Sequence, residues 1–248
     1  MPRFLAFRLY GPLVSWGEIA VGEVRPTQDH PTKSAIIGLV AAALGIRRNE
    51  EERLQALASG YHVAVAVDAP GTLLQDYHTV QVAPQAARKA GPRITTRRNE
   101  LRIPRSELNT VESWRDYLCD SLATVFLWAI QEPPPYTIDQ IRESLHHPTF
   151  TLYLGRKSCP PALPLQPQLI EAENLHMAIR KAEFENLGVL DAIHRASHVR
   201  LFWEGDTNIG IDPEKTFRRR DQPTSRKRWQ FADRDEHSTT IPLFREGS

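Results

Sequence analysis

The feature that most constrains the fold is a segment near the start of the chain in which both faces of a β-strand are apolar. Arg3–Tyr10 reads RFLAFRLY, which places Leu5, Phe7 and Leu9 on one face and Phe4, Ala6 and Arg8 on the other. Apart from Arg8, both faces would have to be covered, as in the interior of a sheet. The sequence therefore predicts a sheet protein whose first strand is central.

Helix and strand signals alternate along the rest of the chain. Thr32 is predicted to cap a helix that ends near Gly45. Alternation and helical periodicity predict the remaining elements, namely helices at Glu50–Ala58 and Thr137–Leu145 and strands at Tyr61–Val67, Leu73–Val82, Thr110–Cys119, Leu122–Ile130, Thr149–Leu154 and His198–Trp203. We interpret this order as an α+β fold, with a ferredoxin-like (RRM-like) palm over residues 1–160 and a small β-rich C-terminal domain over residues 161–248.

The formal net charge of +1 hides two strongly basic segments. Residues 84–105 contain seven Lys and Arg side chains against one Glu, and residues 215–234 contain eight against two Asp. Each segment therefore carries a charge of +6, and the rest of the chain is acidic. Such a distribution suits a body that presents two cationic elements to a polyanion, although two solvated loops would give the same count.

The first basic segment also interrupts the predicted sheet. It lies between two predicted strands and contains Pro84, Gly91, Pro92 and Pro104. A connection of this length is unusual for a hairpin loop. We expect either a segment that is disordered alone or an extended arm that becomes ordered on a partner.

Composition argues against several other classes of protein. The 248 residues are 41% apolar and 25% charged, as in an ordinary globular protein. The longest apolar stretch, Ile36–Leu44, is much shorter than the roughly 20 residues that a membrane span needs. We expect a cytoplasmic protein without a signal peptide, a membrane span or a cofactor. Cys119 and Cys159 lack zinc-site spacing and are interpreted as reduced, packed thiols.

Two small groups of polar residues are candidates for phosphate contact. Lys33 and Ser34 follow the predicted cap Thr32, where unpaired N–H groups and the helix dipole favour an anion. Ordinary capping explains Thr32 equally well but does not explain the placement of Lys33. Arg156 and Lys157 follow Gly155 at the end of a predicted strand, a position that directs cations away from the sheet.

Several segments, in this order along the chain, are similar to segments of one known family. They are Gly11–Gly17, Arg25–Thr27, Pro31–Leu39, Ala42–Ile46, Asp76–Val80, Arg115–Asp120 and Tyr153–Pro160. Together they resemble the CasD family, the fifth Cas family of the RAMP superfamily, which provides a subunit of type I-E CRISPR Cascade complexes. The likeness is close over about residues 3–160. Further on it depends on the arginine-rich segment Phe217–Arg234.

The resemblance implies a non-catalytic subunit that grips the 5′ handle of the CRISPR RNA (crRNA) in antiviral defence. It implies that the subunit caps a backbone of CasC subunits and helps to seat the large subunit CasA, so that target DNA is met only through the complex. By position, residues 82–109 would be the inserted basic β-hairpin thumb of the family. The expected RNA-binding residues are Lys33, Ser34, Arg88, Lys89, Arg93, Arg97, Arg98, Arg102, Arg156 and Lys157.

Two other functions stay open at this point. Relatives in another type I subtype cleave precursor crRNA without a metal by means of a small set of Tyr, His and Lys residues, which makes Tyr77 and His78 candidates for such chemistry. The E subtype assigns this cleavage to CasE, which argues against it. A generic single-strand-binding module would also suit the basic arm, but the ordered set of motifs favours the CasD-like interpretation.

Overall fold

The computed structural model describes residues 1–85, 96–100, 102–185, 187–188, 191, 193, 198–205 and 209–242. Within these ranges, the strands are β1 Arg3–Val14, β2 Trp16–Gly17, β3 Val24–Arg25, β4 Thr27–Gln28, β5 Tyr61–Ala69, β6 Thr72–Val82, β7 Asn109–Ala129, β8 Gln168–Glu171, β9 His198–Trp203, β10 Lys215–Ser225 and β11 Gln230–Pro242. The helices are α1 Lys33–Ala43, α2 Glu51–Gly60, α3 Arg97–Glu100, α4 Ile138–His146 and α5 Leu175–Lys181, with a 3₁₀ turn at Arg105–Glu107. None of the described helices is long and apolar enough to cross a membrane.

One large sheet organises the molecule. Its strand order is β10-β11-β9-β5-β7-β1-β8, and all neighbours on this path are antiparallel. The first strand is central, as predicted, because β7 and β8 flank β1. One face of the sheet packs on α1, α2 and α4 through a core that includes Leu5, Phe7 and Leu9. The opposite face packs on α5 around Phe4 and Ala6. The mixed α/β architecture with an antiparallel sheet is therefore confirmed.

Strand β7 is longer than the sequence indicated. We predicted two strands separated by Asp120 and Ser121, but the structure has one strand of 21 residues. Asp120 takes a positive φ of 55° while the pairing with β1 continues on both sides of it. The hydroxyl of Tyr10 donates a hydrogen bond to the Asp120 carboxylate at 3.1 Å. The polar pair that resembled a strand break thus lies within a continuous strand.

The first half of β7 forms a two-stranded ribbon with β6. Thr72 pairs with Cys119 at one end and Val82 pairs with Asn109 at the other. We call β6 together with residues 109–119 the ribbon. Several of its large apolar side chains are exposed, among them Leu73, Tyr77 and Val111. The described part of the connection at its far end contains α3 and the 3₁₀ turn.

The strand predicted at Thr149–Leu154 does not form. The N–H groups of Thr149 and Phe150 instead donate to the carbonyls of Ala43 and Ala42 at the end of α1. The Leu154 N–H donates to the Cys159 carbonyl within its own turn. These bonds satisfy the open carbonyls of the helix end, so this segment has no sheet partner.

The C-terminal strands continue the same sheet. Strand β9 pairs with β5, placing Ala64 opposite Trp203, and β11 and β10 follow outward from β9. These strands extend the sheet of the first 160 residues and share its core through Leu201 and Phe202. The division into two domains at residue 160 stays a prediction.

Candidate nucleic-acid interface

The two faces of the ribbon differ in character. On one face Tyr77 lies opposite Trp114, with ring centroids 5.3 Å apart. On the other face His78 pairs with Asp76. The edge of β7 is partly covered by β3, which aligns Val24 with Trp114. The ribbon therefore presents aromatic and polar groups beyond the compact sheet.

Arg156 stabilises the base of the ribbon. Its guanidinium donates hydrogen bonds to the carbonyls of Asp116 at 3.2 Å and Arg25 at 2.9 Å. It also lies 4.6 Å from the ring centroid of Tyr117. The planar fork of an arginine is suited to this combined role. The neighbouring Lys157 is exposed, so of the two predicted cations Lys157 points into solvent and Arg156 holds three segments together.

The loop that carries these two cations depends on Gly155. Its φ is +86°, and a Cβ at this position would lie 1.7 Å from the carbonyl oxygen of Ser15. The backbone of the loop therefore lies directly against that of Ser15, which only glycine permits. The side chain of Ser15 in turn donates to the carbonyl of Asp116 in the ribbon.

The predicted arm is partly described. Arg97 pairs with Glu100 at 2.8 Å, and Glu100 also accepts the N–H of Ala83, which ties α3 to the end of β6. Arg98 and Arg102 are exposed and form no ion pair within the described residues. Arg88, Lys89 and Arg93 lie outside the described residues. RNA contact by all of these cations stays a prediction.

The structure places Lys33 away from the surface. Its side chain is buried, with Nζ 2.6 Å from Oε1 of Glu204 and 3.3 Å from the carbonyl oxygen of Tyr61. The backbone N–H of Lys33 donates to Oδ2 of Asp221 at 2.8 Å. The N-terminus of α1 thus already holds an internal carboxylate where we expected a phosphate.

Thr32 caps α1 as predicted, since its hydroxyl accepts the N–H of Ala35 at 3.2 Å. The Ser34 hydroxyl lies 3.1 Å from that of Thr32, and the Ser34 carbonyl accepts a hydrogen bond from Arg226. Capping and internal pairing therefore account for the Thr32–Ser34 segment, and a phosphate contact there would require these pairs to separate.

Asp221 belongs to a buried network of charges. Arg234 lies 2.6 Å from both Asp221 and Glu236, and Glu236 lies 3.2 Å from Nε2 of His30. Burial alone would raise the pKa of Glu236, but the hydrogen bond from His30 and the charges of His30 and Arg234 lower it to about 2. Burial opposes the charge on His30 in the same way, yet its hydrogen bonds with Asp29 and Glu236 raise the pKa of His30.

The cations of the second basic segment fall into three groups. Arg219 and Arg234 form ion pairs within the protein: Arg234 pairs with Asp221 and Glu236, and Arg219 pairs with Glu236 at 2.8 Å. The exposed cations of the segment are Lys215, Arg218, Arg220, Lys227 and Arg228. Arg226 takes a third position, half-buried beside α1. A count of charges along the sequence could not separate these roles, because the pairing of Arg219 and Arg234 with Asp221 and Glu236 depends on how β10 and β11 align.

The geometry does not bring the nuclease candidates together. Tyr77 and His78 are adjacent in β6, and successive side chains of a strand point to opposite faces. A hydrogen bond with Glu112 raises the pKa of Tyr77, which disfavours its phenolate. No group of three His, Cys, Asp or Glu side chains among the described residues could hold a metal ion. Burial raises the pKa of the Cys159 thiol, as fits a packed side chain.

Sequence reasoning missed a group of basic and aromatic residues beside α1. Arg47 and Arg48 follow the end of this helix, and Trp229 lies in the turn between β10 and β11. They line one cleft together with Arg226. The signal available in the sequence was the run Arg226–Trp229, which combines three cations with an aromatic residue.

The fold and these surfaces define a class: mixed α/β proteins with a long antiparallel sheet, a projecting ribbon and exposed arginines. The family model described as "CRISPR-associated protein (Cas_Cas5)" matches residues 4–236. The chain is 36% identical over 173 residues to the "CRISPR system Cascade subunit CasD" of Escherichia coli (strain K12), which covers 66% of this chain and 70% of that protein. The protein therefore belongs to the Cas5 family of CRISPR-associated proteins.

Solved structures agree. A chain of a "CRISPR RNA-guided surveillance complex" aligns with a TM-score of 0.65 at 25% identity, covering 97% of this chain and 90% of that one. A second structure, described as "Crystal structure of Cas protein", aligns with a TM-score of 0.62 at 25% identity, covering 96% of this chain and 95% of that one. The fold of the chain is therefore similar to known Cas proteins over nearly its whole length.

Proposed function

We propose that this protein is a non-catalytic RNA-binding subunit of a type I-E Cascade complex that grips the 5′ handle of the crRNA. The similarity to a Cascade subunit and to a chain of an RNA-guided surveillance complex supports this assignment. The observation that carries it is the placement of the exposed arginines Arg98 and Arg102 at the end of a ribbon that extends beyond the sheet. Arginines held on such an arm can contact phosphates and stack on bases.

We infer that the part of the sheet below the ribbon is a ferredoxin-like palm. Strands β5, β7, β1 and β8 are neighbours in this order, with α1 between β1 and β5 along the chain and α4 between β7 and β8. Two such strand-helix-strand units, interleaved so that all neighbours are antiparallel, match the ferredoxin-like arrangement. Folds of this kind offer their sheets and loops to single-stranded RNA.

We assign the role of the thumb to the ribbon and its connection. The thumb would then begin further back than the predicted residues 82–109, because pairing starts at Thr72 and ends at Cys119. Arg97, Arg98 and Arg102 would contact RNA at its end, together with Arg88, Lys89 and Arg93 if these are placed as predicted. Lys157 would contact RNA near the base, where Arg156 fixes the ribbon.

The exposed apolar side chains supply candidate surfaces for protein partners. Val21 and Val24 are exposed in the segment beside the ribbon, and Leu73 and Val111 are exposed on the ribbon itself. Apolar groups of this kind are typical of surfaces that an assembly covers. CasC backbone subunits and the large subunit CasA are the partners that we propose for them, and target DNA would be met only through the complex.

The experiment is to co-express the chain with neighbouring operon products and a CRISPR array and to purify through this subunit. We expect a mature crRNA in stoichiometric amount, which is lost when CasC is omitted. A second sample, the purified chain alone with precursor RNA, should leave the RNA intact. Shortening of the precursor at one position, abolished by His78→Ala but not by the exposed-surface control His147→Ala, would replace the proposal by the endoribonuclease alternative.

A further inference from the structure

A cleft lies between α1 and the turn that joins β10 to β11. Its volume is about 420 Å³, within the range of pockets that hold small molecules. Among the described residues, its lining contains no carboxylate but includes three arginines and three aromatic residues, namely Arg47, Arg48, Arg226, Phe150, Tyr153 and Trp229. The cleft is thus open, cationic and aromatic at once.

Trp229 is held in an exposed position. Its backbone has a φ of +52°, which non-glycine residues rarely adopt, in a turn closed by a hydrogen bond from the Arg228 N–H to the Ser225 hydroxyl. The indole remains 56% exposed. Guanidinium carbons of Arg48 and Arg226 lie 4.8 and 5.6 Å from its ring centroid. A large aromatic side chain is therefore presented to solvent between two cations.

Arg226 is a half-buried cation without a carboxylate partner among the described residues. Its guanidinium donates to the carbonyl of Ser34, and its Nη2 lies 3.3 Å from where a Cβ on Gly38 would be, so the helix makes room for it. Burial and the nearby charge of Arg48 lower the pKa of Arg226. Because two arginines repel each other in this partly buried site, a bound anion would stabilise both charges.

The cleft is continuous with the proposed RNA interface. Gly155 contributes to its lining, and the next residue, Arg156, contacts Tyr117 and Asp116 at the base of the ribbon. One loop thus connects the cleft to the ribbon.

We propose that this cleft binds one unstacked nucleotide of single-stranded RNA, with its base against Trp229 and its phosphate among Arg47, Arg48 and Arg226. This inference rests on the proposed function and adds a second RNA-binding site to the one at the ribbon. Stacking on an aromatic face and pairing with arginine are the two interactions by which proteins hold single strands. An acidic peptide would pair with the arginines but would make no use of the exposed indole.

The test compares Trp229→Ala with wild type in the complex purified through this subunit. The complex is reconstituted with guide RNAs that each carry a single abasic nucleotide, at one handle position after another. The affinity of the complex for each of these guide RNAs is measured. Trp229→Ala should weaken binding of intact RNA about 10-fold. At one handle position, the abasic nucleotide should lower the RNA affinity of the wild-type complex by a similar factor. The same abasic RNA should bind the Trp229→Ala complex no more weakly than intact RNA does. Trp229→Phe should retain most of the affinity.

Phe217→Ala is the matched control. Phe217 is an exposed aromatic residue of the same strand pair and also lies near an arginine, 5.6 Å from Arg219, but it does not line the cleft. Its removal should leave RNA affinity unchanged. Equal losses in both variants, no loss in Trp229→Ala, or loss of a protein subunit in place of RNA affinity would each overturn the cleft proposal alone. A wild-type complex that holds no RNA would overturn the proposed function as well.

Discussion

The ammonium nitrogen of Lys33 lies 2.6 Å from Oε1 of Glu204, and both side chains are buried. Lys33 begins α1, whereas Glu204 directly follows β9. Glu204 also accepts the N–H of Val63 in β5 at 3.1 Å. The pair therefore joins the first helix to the C-terminal strands, and it gives Lys33 a structural role in place of the phosphate contact that its position in the sequence suggested.

Lys33→Ala should destabilise the fold without weakening the folded protein's grip on RNA. Removing one member of a buried ion pair leaves the other charge without compensation and costs about 3 kcal/mol or more. Urea unfolding monitored by circular dichroism measures this loss. Lys157→Ala, which removes an exposed lysine, should change stability by less than about 0.5 kcal/mol. A stable Lys33→Ala variant with a reduced salt dependence of RNA binding would instead favour the original phosphate interpretation.

The buried network predicts a loss of stability in acid. The ordinary pKa of Glu236 is 4.5 and its folded value is about 2, so its contribution is complete above pH 4.5 and is lost as the pH falls toward 2. A difference of this size corresponds to about 3 kcal/mol. Unfolding free energies measured from pH 6 to pH 2.5 should show this decline, and Glu236→Gln should flatten it. An unchanged slope in Glu236→Gln would mean that Glu236 is not the group responsible.

The contribution of His30 to stability depends on pH in the opposite direction. Its folded pKa is raised above the ordinary 6.5, so its contribution is complete below pH 6.5 and is lost as the pH rises through the folded pKa. The ring also stacks on Phe202 with centroids 3.8 Å apart. His30→Phe should therefore lessen the alkaline decline. Unfolding free energies measured up to pH 9 would show this alkaline decline. An equally steep decline in His30→Phe would mean that His30 is not the group responsible.

The sequence predicted the parts of the fold that local patterns encode. The apolar faces of β1, the Thr32 cap and the positions of α1, α2, α4 and β9 follow from periodicity and capping. Among the missed elements, β8 and α5 are short, and β8 directly follows a proline-rich segment. The false strand at Thr149–Leu154 has a strand-like composition, but its N–H groups cap α1. Only the tertiary structure shows this.

The candidate site was less predictable for a related reason. The charge of a residue can be read from the sequence, but its partner cannot. Lys33 looks like an RNA-binding cation until Glu204, which lies far away along the chain, neutralises it, and Arg234 is neutralised by Asp221 on the neighbouring strand. The cleft beside α1 escaped notice because Arg48 and Trp229 meet only after β10 and β11 have joined the sheet.

The salt dependence of RNA binding tests the end of the ribbon. Each phosphate contact on a single strand contributes about 0.7 to the slope of log affinity against log salt concentration. Arg98→Gln combined with Arg102→Gln should therefore lower the slope by about 1.4. Arg3→Gln removes an arginine of β1 that is similarly exposed but paired with Asp139 of α4, and it should leave the slope unchanged. Equal slopes in the double variant and wild type would remove these arginines from the interface.

Gly155→Ala should disturb the loop that connects the cleft to the ribbon. The new methyl group would overlap the Ser15 carbonyl, and the positive φ adds strain, so the loss should exceed about 1 kcal/mol. Gly17→Ala is the control, because nothing lies within 4 Å of its Cβ position and its φ is not in the strained region. Thermal unfolding of both variants checks this. Equal melting temperatures would contradict the close backbone contact.

In the proposed function, the 5′ handle of the guide RNA holds this subunit in its complex. The most direct measurement is native mass spectrometry of complexes assembled on two guide RNAs, one complete and one with the handle deleted and the rest unchanged. We expect one copy of this chain on the complete guide and none on the shortened guide, while backbone subunits remain on both. Full occupancy by this chain on the shortened guide would contradict it.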